Sequence, residues 1–553
     1  MKKHLLVFVA VLLAVAIAMP AFAAVEFKYG GQWRNRVVNE DNVRDGTELN
    51  GYYGPGYNSD DNRFFLDQRL RLYFTFAASK NLKVVTKFEI GDVIWGDPNN
   101  AGVRTGPGSG GNVGADAVNL ETKNAYVEFN IPNTPSTAIL GIQTLMLLDS
   151  WIVDDDFSAA VLVTKLDPFK VTLGYVAGQN GFTNSSGSIG LKYTQQNANV
   201  DSMFAAVDYA QGPFKASGIF FWQNGHNSTV SMDPATLNTP VTSYTGTAGN
   251  FMNQALIDSN NLFDLGFNLT YKTDWLLAYV NFVKNLGSVD YKANLPVIQN
   301  QALTGWQSSS DYTGFMVDAG VTYFCGPYTF NIGGFYTSGP DLSNDVRYYA
   351  PVPQGNSATA INNTLPFPGT NSKDINWFTY PLATSKYFSE IIGGGVLGDD
   401  IYVTRGYTNS SAFPYNGAGQ IGSNSKMSTV FWRGYSFPTN LWTITAGGSW
   451  QVAEKTKISA SYWYFGTAES VPVAFKTLGG TELSMSSSIG HELDFYVDQG
   501  IVDGLTLTLV GAYLIADDAF CPLPIGASNA QSIYTASQAD NAYKLGARLQ
   551  WNF

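Results

Sequence analysis

The sequence predicts an all-β fold, an antiparallel up-and-down β-barrel of about 18 strands that spans a membrane. Three observations lead there. Segments of about ten residues alternate apolar and polar side chains with period two. The connections between them alternate short and long, and the chain ends on an aromatic residue, Phe553. Short turns at one rim and long loops at the other are the pattern of barrels that cross lipid.

Composition removes other classes first. The 553 residues are 45% hydrophobic and only 14% charged, with 56 glycines and two cysteines. Two cysteines cannot build a disulfide framework. A net charge of −12 argues against a basic nucleic-acid binder, so no nucleic-acid partner is expected.

The first 23 residues read as a signal peptide. Met1-Lys2-Lys3-His4 is a positive head, Leu5 to Met19 is uninterrupted apolar chain, and Pro20-Ala21-Phe22-Ala23 supplies the small residues a signal peptidase needs. That run falls short of the roughly 20 residues a membrane-spanning helix requires. Cleavage after Ala23 leaves residues 24–553 as one domain.

Strand by strand, the alternation is explicit. Phe27, Tyr29, Trp33 and Val37 alternate with Lys28, Gln32, Arg34 and Arg36. Leu70, Leu72, Phe74 and Phe76 alternate with Arg69, Arg71, Tyr73 and Thr75, and Leu82, Val84, Phe88 and Ile90 with Lys83, Lys87 and Glu89. Successive side chains of a strand face opposite ways, so each segment has one greasy and one charged face. The same reading places strands at about 26–38, 63–77, 81–91, 119–130, 136–146, 158–165, 168–178, 201–210, 213–224, 262–272, 275–285, 312–325, 327–338, 440–451, 456–466, 485–497, 503–515 and 541–553. One miscounted hairpin would make the number sixteen.

With this division, short and long connections alternate without exception. Ala78-Ser79-Lys80, 131–135, Leu166-Asp167, Gln211-Gly212, Thr273-Asp274, Gly326 and 452–455 are tight and rich in turn residues. The long loops, notably 225–261, 339–439 and 516–540, fall at the other rim, and both termini lie at the short-turn rim.

The last strand carries a resemblance. Tyr543, Leu545, Ala547, Leu549, Trp551 and Phe553 are apolar at every second place and end the chain on an aromatic, which resembles the assembly signal of bacterial outer-membrane β-barrel proteins. Closing against the first strand would leave no unpaired edge in lipid. More weakly, Ser488-Ile489-Gly490-His491-Glu492-Leu493-Asp494-Phe495 with Gly504-Leu505-Thr506-Leu507-Thr508-Leu509 is similar to the closing hairpin of alginate-export-like porins, which have 18 strands. Asp67-Gln68-Arg69-Leu70-Arg71-Leu72 is a looser echo. The resemblance implies outer-membrane lipid as surroundings, handling by the barrel-assembly machinery, periplasmic termini and extracellular long loops, with the barrel a monomer or a homotrimer.

If the greasy faces meet lipid, the alternate residues line the channel. Lys28, Arg34, Arg36, Arg69, Arg71, Lys83 and Lys87 lie on strands one to three, and Lys544 and Arg548 on the last strand, which closure makes their neighbour. Together they would form a basic wall that concentrates anions. The alternative is that they pair with Glu26, Asp67 and Glu89 and brace the barrel. Glu492 and Asp494 point inward on strand 16, while Glu40, Asp41, Asp45, Glu48, Asp60 and Asp61 fall in the first loop.

Loop 339–439 is far longer than a connection needs. Within it Ser385 to Ile392 is the one locally helical stretch, stopped by Gly393-Gly394-Gly395. The loop is expected to fold over or into the mouth as a constriction, against the alternative of an external loop. Asp154-Asp155-Asp156 reads as a loop tip, solvated or holding calcium. Cys325 and Cys521 fall at opposite ends of the barrel, too far apart to bridge. His226 falls in a loop, and alternation puts His491 on the lipid side, away from Glu492. No catalytic site, metal site or cofactor is expected.

The reading is therefore a non-enzymatic outer-membrane porin, a water-filled channel for passive diffusion of small hydrophilic solutes with an anion preference from the basic wall. The alternatives are a conduit for an acidic polymer and a barrel sleeve around a periplasmic partner.

Overall fold

In lipid every backbone N–H and C=O must find a partner within the protein, so a sheet there has to close on itself. The computed structural model does so. It describes residues 25–43, 62–96, 120–179, 199–226, 257–291, 309–339, 374–382, 384–398, 438–476, 482–520, 534–536 and 539–553. The expected leader, Asp45, Glu48, Asp60, Asp61 and Cys521 lie outside these.

Eighteen wall strands follow one another in antiparallel order: β1 Glu26–Asp41, β2 Arg63–Ser79, β3 Leu82–Ile94, β4 Leu120–Asn130, β5 Ser136–Leu147, β6 Val153–Leu166, β7 Phe169–Gln179, β8 Asn199–Gln211 and β9 Phe214–His226. The second half comprises β10 Ile257–Lys272, β11 Leu276–Tyr291, β12 Phe315–Cys325, β13 Tyr328–Thr337, β14 Trp442–Ala453, β15 Thr456–Lys476, β16 Glu482–Val502, β17 Leu505–Ala516 and β18 Ala542–Asn552. β18 pairs with β17 and with β1, from Gln32↔Asn552 to Asp41↔Tyr543, and this closes the barrel. Short strands at Ser309–Tyr312 and Tyr534–Ala536 attach to the wall, Asp374–Ile375 pairs in parallel with the first of them, and a 3₁₀ turn at Asp518–Phe520 follows β17.

All eighteen expected strands are present, so sixteen is excluded. Strand ends differ where loops had been expected. β15 and β16 are 21 residues each, β15 running ten residues past 466 and β16 from 482 to 502 where 485–497 was expected. Glu40 and Asp41 belong to β1, and His226 ends β9, rather than lying in loops. The strict alternation of short and long connections also fails. At the long-loop rim, β5 and β6 are joined by only 148–152, and β15 and β16 by 477–481, because those strands run further than their periodic core suggests.

The outer face is apolar around the ring. Val84, Leu140, Leu173, Val207, Phe220, Leu265, Phe267, Phe330, Ile332, Ile444, Leu493, Phe495, Leu509 and Leu545 are all exposed at outward positions. Beside the short turns stands a belt of aromatic pairs: Phe27 with Phe76, Phe169 with Tyr209, Phe214 with Tyr271, Trp275 with Tyr323, Tyr328 with Trp450 and Trp551 with Phe553. Amphipathic rings collect at the boundary of lipid and water, so this belt marks the rim of the spanning zone. The chain is thus a β-barrel with the outer surface of one that spans a membrane.

The terminal residue has a made place. Phe553 N–H donates to Gly31 O at 3.0 Å and Phe553 O accepts from Gly31 N–H at 2.8 Å. Its ring fills the space where a Cβ on Gly31 would stand, 2.5 Å from Phe553 Cζ and 2.6 Å from Arg71 O. Gly31→Val is therefore expected to block closure and cut the folded fraction severalfold, read as loss of the heat-modifiable band on an unboiled gel; wild-type folding would refute this.

Candidate functional site

A barrel of this width cannot fill its interior with wall side chains alone. Its interior divides into two halves. Toward the short-turn rim, inward charges are half-exposed and paired across neighbouring strands: Lys83–Glu128 at 3.0 Å, Lys170–Asp208 at 2.9 Å and Lys457–Asp498 at 3.2 Å. Half-exposed charges inside a closed barrel mean that water enters this half. Pairs of this kind contribute no more than about 1 kcal/mol each to stability, so their main effect is on the field within the lumen.

Toward the long-loop rim two elements fold inward. The first is the tip of the β5–β6 hairpin. β5 leaves β4 above Ala125↔Ile142, and β6 leaves β7 above Ala159↔Val176, while the two strands stay paired with each other to Leu147↔Val153. From Ile142 to Leu147 the extended chain covers about 17 Å, and the turn at 148–152 carries the tip further into the lumen. The tip reaches the far wall. Trp151 is fully buried, donates from Nε1 to Asp318 Oδ2 on β12 at 2.8 Å, and packs its ring on Phe335 of β13 at 5.2 Å. Leu148 reaches the wall at β10 where Gly266 leaves room. Asp154 to Asp156 are therefore part of β6, not a loop tip. Asp156 accepts from Asn124 at 2.9 Å and from Thr144, and Asp154 from Ser150 at 2.7 Å.

The second element is the segment 374–398 of the long loop, as far as it is described. It starts against β9–β11. Thr379 O accepts from Asn285 Nδ2 at 2.9 Å, Thr379 N–H donates to Asn285 Oδ1 at 2.8 Å, and Gln223 Nε2 donates to Pro381 O. It ends on β16, β18 and β1, half a circumference away. Glu492 accepts from Ile391 N–H at 2.5 Å, Ile392 N–H at 3.2 Å and Ser389 Oγ at 3.0 Å, and Asp494 accepts from Glu390 N–H at 3.3 Å. Lys544 Nζ donates to Glu390 O at 2.9 Å and Arg36 donates to Gly398 O.

No helix forms over Ser385 to Ile392. The wall carboxylates take the N–H groups that a helix would have to share out along itself. The side chain of Glu390 instead closes a turn, accepting from Val396 N–H at 2.7 Å and Leu397 N–H at 2.6 Å. Successive N–H groups converging on one carboxylate make an anion cradle, here filled by the wall's own glutamate. Around both elements the interior is apolar: Phe204, Phe221, Met316, Phe335 and Phe465 of the wall enclose Phe378, Leu382, Ile391 and Ile392 of the segment.

The sequence-derived charges divide accordingly. Lys28 pairs with Glu26 at 3.2 Å, Arg71 with Glu89 at 2.5 Å, and Arg36 with Asp67 through Nε at 3.0 Å to both oxygens. Each acid expected as a brace is thus in an ion pair. Lys87 stands over the Tyr73 ring at 5.7 Å. Arg34 faces Arg69 in register, and Arg36 faces Arg548, which gathers four guanidinium groups on β18, β1 and β2. Glu492, Asp494 and Lys544, expected to border the channel, are instead covered by the loop segment and almost wholly buried. Outside, His491 accepts or donates at Nδ1 to Tyr462 Oη at 2.6 Å, on the opposite face of β16 from Glu492. Free Cys325 is exposed at the end of β12. Among the described residues no group of His, Cys, Asp and Glu could hold a metal.

Sequence reasoning missed the inward hairpin, and with it Trp151, Asp318 and Lys386. The one available signal was the apolar run Trp151-Ile152-Val153 in a connection expected to face water.

No family model matches the chain, and no curated protein matches it. Among solved structures it is similar to OccK8 (OprE) of Pseudomonas aeruginosa, with 11% identity over 96% of this chain and 98% of that one, TM-score 0.43. The outer membrane protein opdK of the same organism gives 9% identity, 96% and 99% coverage and 0.43. OmpT, an outer membrane protein of Vibrio cholerae in its trimer form, gives 9%, 96%, 100% and 0.35.

The anchoring scheme gives a direct expectation. Glu492→Ala leaves two buried N–H groups and one hydroxyl without their acceptor, each costing about 1–3 kcal/mol. Proteolysis of the folded barrel between 385 and 398 should then rise at least tenfold; an unchanged rate would show that the segment is held elsewhere.

Proposed function

We propose that the chain is a porin that passes small hydrophilic solutes by diffusion, with a preference for anions. The observation that carries this is the wet, charge-lined half of the closed barrel, which leads to the guanidinium groups of Arg34, Arg36, Arg69 and Arg548 beneath the loop segment. An apolar exterior with a charged, watered interior serves passage better than storage or catalysis. Low-dielectric walls strengthen the field of these groups and raise the local anion concentration.

The two inward elements set the size limit. They reach into the lumen from two sides and so narrow the path to less than the barrel's own width. No cofactor enters this reading, and the leader at residues 1–23 delivers the chain across the inner membrane.

A conduit for an acidic polymer would require the same wall but a wider path. The interior cross-members count against it, since both lie across the lumen.

Single-channel recording of the refolded mature chain under a salt gradient is the test. Small open-channel currents with a reversal potential on the anion side are expected. In Arg69→Glu/Arg71→Glu the anion preference should fall severalfold or reverse. A folded barrel that never conducts, or one whose selectivity ignores this change, would refute the proposal.

A further inference from the structure

The two inward elements meet at Lys386. Its Nζ lies 2.7 Å from Asp149 Oδ2, 2.9 Å from Asp149 O and 3.8 Å from Asp318 Oδ2, and 5.2 Å from the centroid of the Trp151 ring. Asp149 and Trp151 belong to the hairpin tip and Asp318 to the far wall. Two carboxylates, a carbonyl and an indole face converging on one point are the chemistry that recognises a primary ammonium.

This site is built, and its parts are held independently of the lysine. Asp318 is 4% exposed, and it accepts from Trp151 Nε1 at 2.8 Å, Asn281 Nδ2 at 3.2 Å and Tyr279 Oη at 3.2 Å, all neutral donors. Among the described residues, Lys386 is the only cation in ion-pair contact with it. Asp149 is set by three successive left-handed residues, Leu148, Asp149 and Ser150, at φ of 50°, 55° and 67°. Non-glycine residues adopt that conformation only where the surrounding structure holds them in it. Asp149 also has a side chain 59% exposed, so the site opens to water on that side.

We propose that Asp149, Asp318 and Trp151 form a binding site for a primary alkylammonium group, of which Lys386 is the tethered occupant. A small solute bearing an unhindered alkylammonium competes with Lys386. When it wins, the loop segment loses its charged tie to the hairpin tip, while its anchors at Asn285 and Glu492 persist. The site is distinct from the basic wall and does not depend on the channel reading.

The test uses n-butylammonium, which copies the lysine side chain, on the full mature barrel in detergent. Saturation-transfer difference NMR should show binding on the order of millimolar to Lys386→Ala, and at least tenfold weaker binding to the wild type, whose own lysine fills the site. n-Butanol and sodium should not compete. Asp149→Asn in the Lys386→Ala background should abolish the signal, and Asp318→Asn should do the same; the exposed Asp149 keeps the test open if the buried variant fails to fold. Equal binding to wild type and Lys386→Ala, no binding to Lys386→Ala, or binding unaffected by Asp149→Asn would each overturn the proposal. Because the readout is binding and not current, a silent bilayer would count against the porin reading alone.

Discussion

Closure without an edge is the constraint on which the rest of the structure depends. Each backbone group in hydrocarbon must be paired inside the protein, and β18 meets that demand by pairing with β1 through ten register positions. Closure with eighteen strands then creates a second problem, since the enclosed space exceeds what wall side chains can fill. Inward apolar residues such as Phe204, Phe221, Met316 and Phe465 would face water if nothing covered them. The β5–β6 hairpin tip and the loop segment cover them, so the cross-members of the lumen and its apolar half have one origin.

Charge does different work at the two rims. Near the short turns, acids and bases pair in water, where such pairs add little to stability but shape the field. Near the long loops the same residue types are dry. There Glu492, Asp494 and Lys544 hold backbone N–H and C=O groups of a chain that has no secondary structure of its own to satisfy them. A buried charge without such partners would be very costly, and breaking one of these contacts leaves the other group stranded. The loop is therefore positioned by the wall, and a helix over Ser385 to Ile392 is replaced by a turn fitted to Glu492.

Much of the wall was legible because its rule is local. Val84 and Lys87 sit on opposite faces of β3 whatever the rest of the chain does, and each strand announces itself by that alternation. The pairing of Arg36 with Asp67 and of Arg71 with Glu89 was also within reach, since adjacent strands in known order bring them into register. The contacts of Trp151 with Asp318 and of Lys386 with Asp149 were not, because they join residues separated by 167 and 237 positions, across the barrel rather than around it. Asp154 to Asp156 looked like a loop tip for the same reason, as nothing local shows that β6 continues after it has left the wall.

The sequence by itself determined the strand number, the order, the direction of the side chains in the periodic core of each strand and the site where the last strand closes on the first. These follow from period-two alternation and from turn chemistry, which act over a few residues. Only the tertiary structure decided which connections turn inward, which charges stay wet and which become handles for the loop. Those outcomes depend on the width of the closed barrel and on what lies opposite each element across it, and distance across a lumen leaves no trace in neighbouring residues.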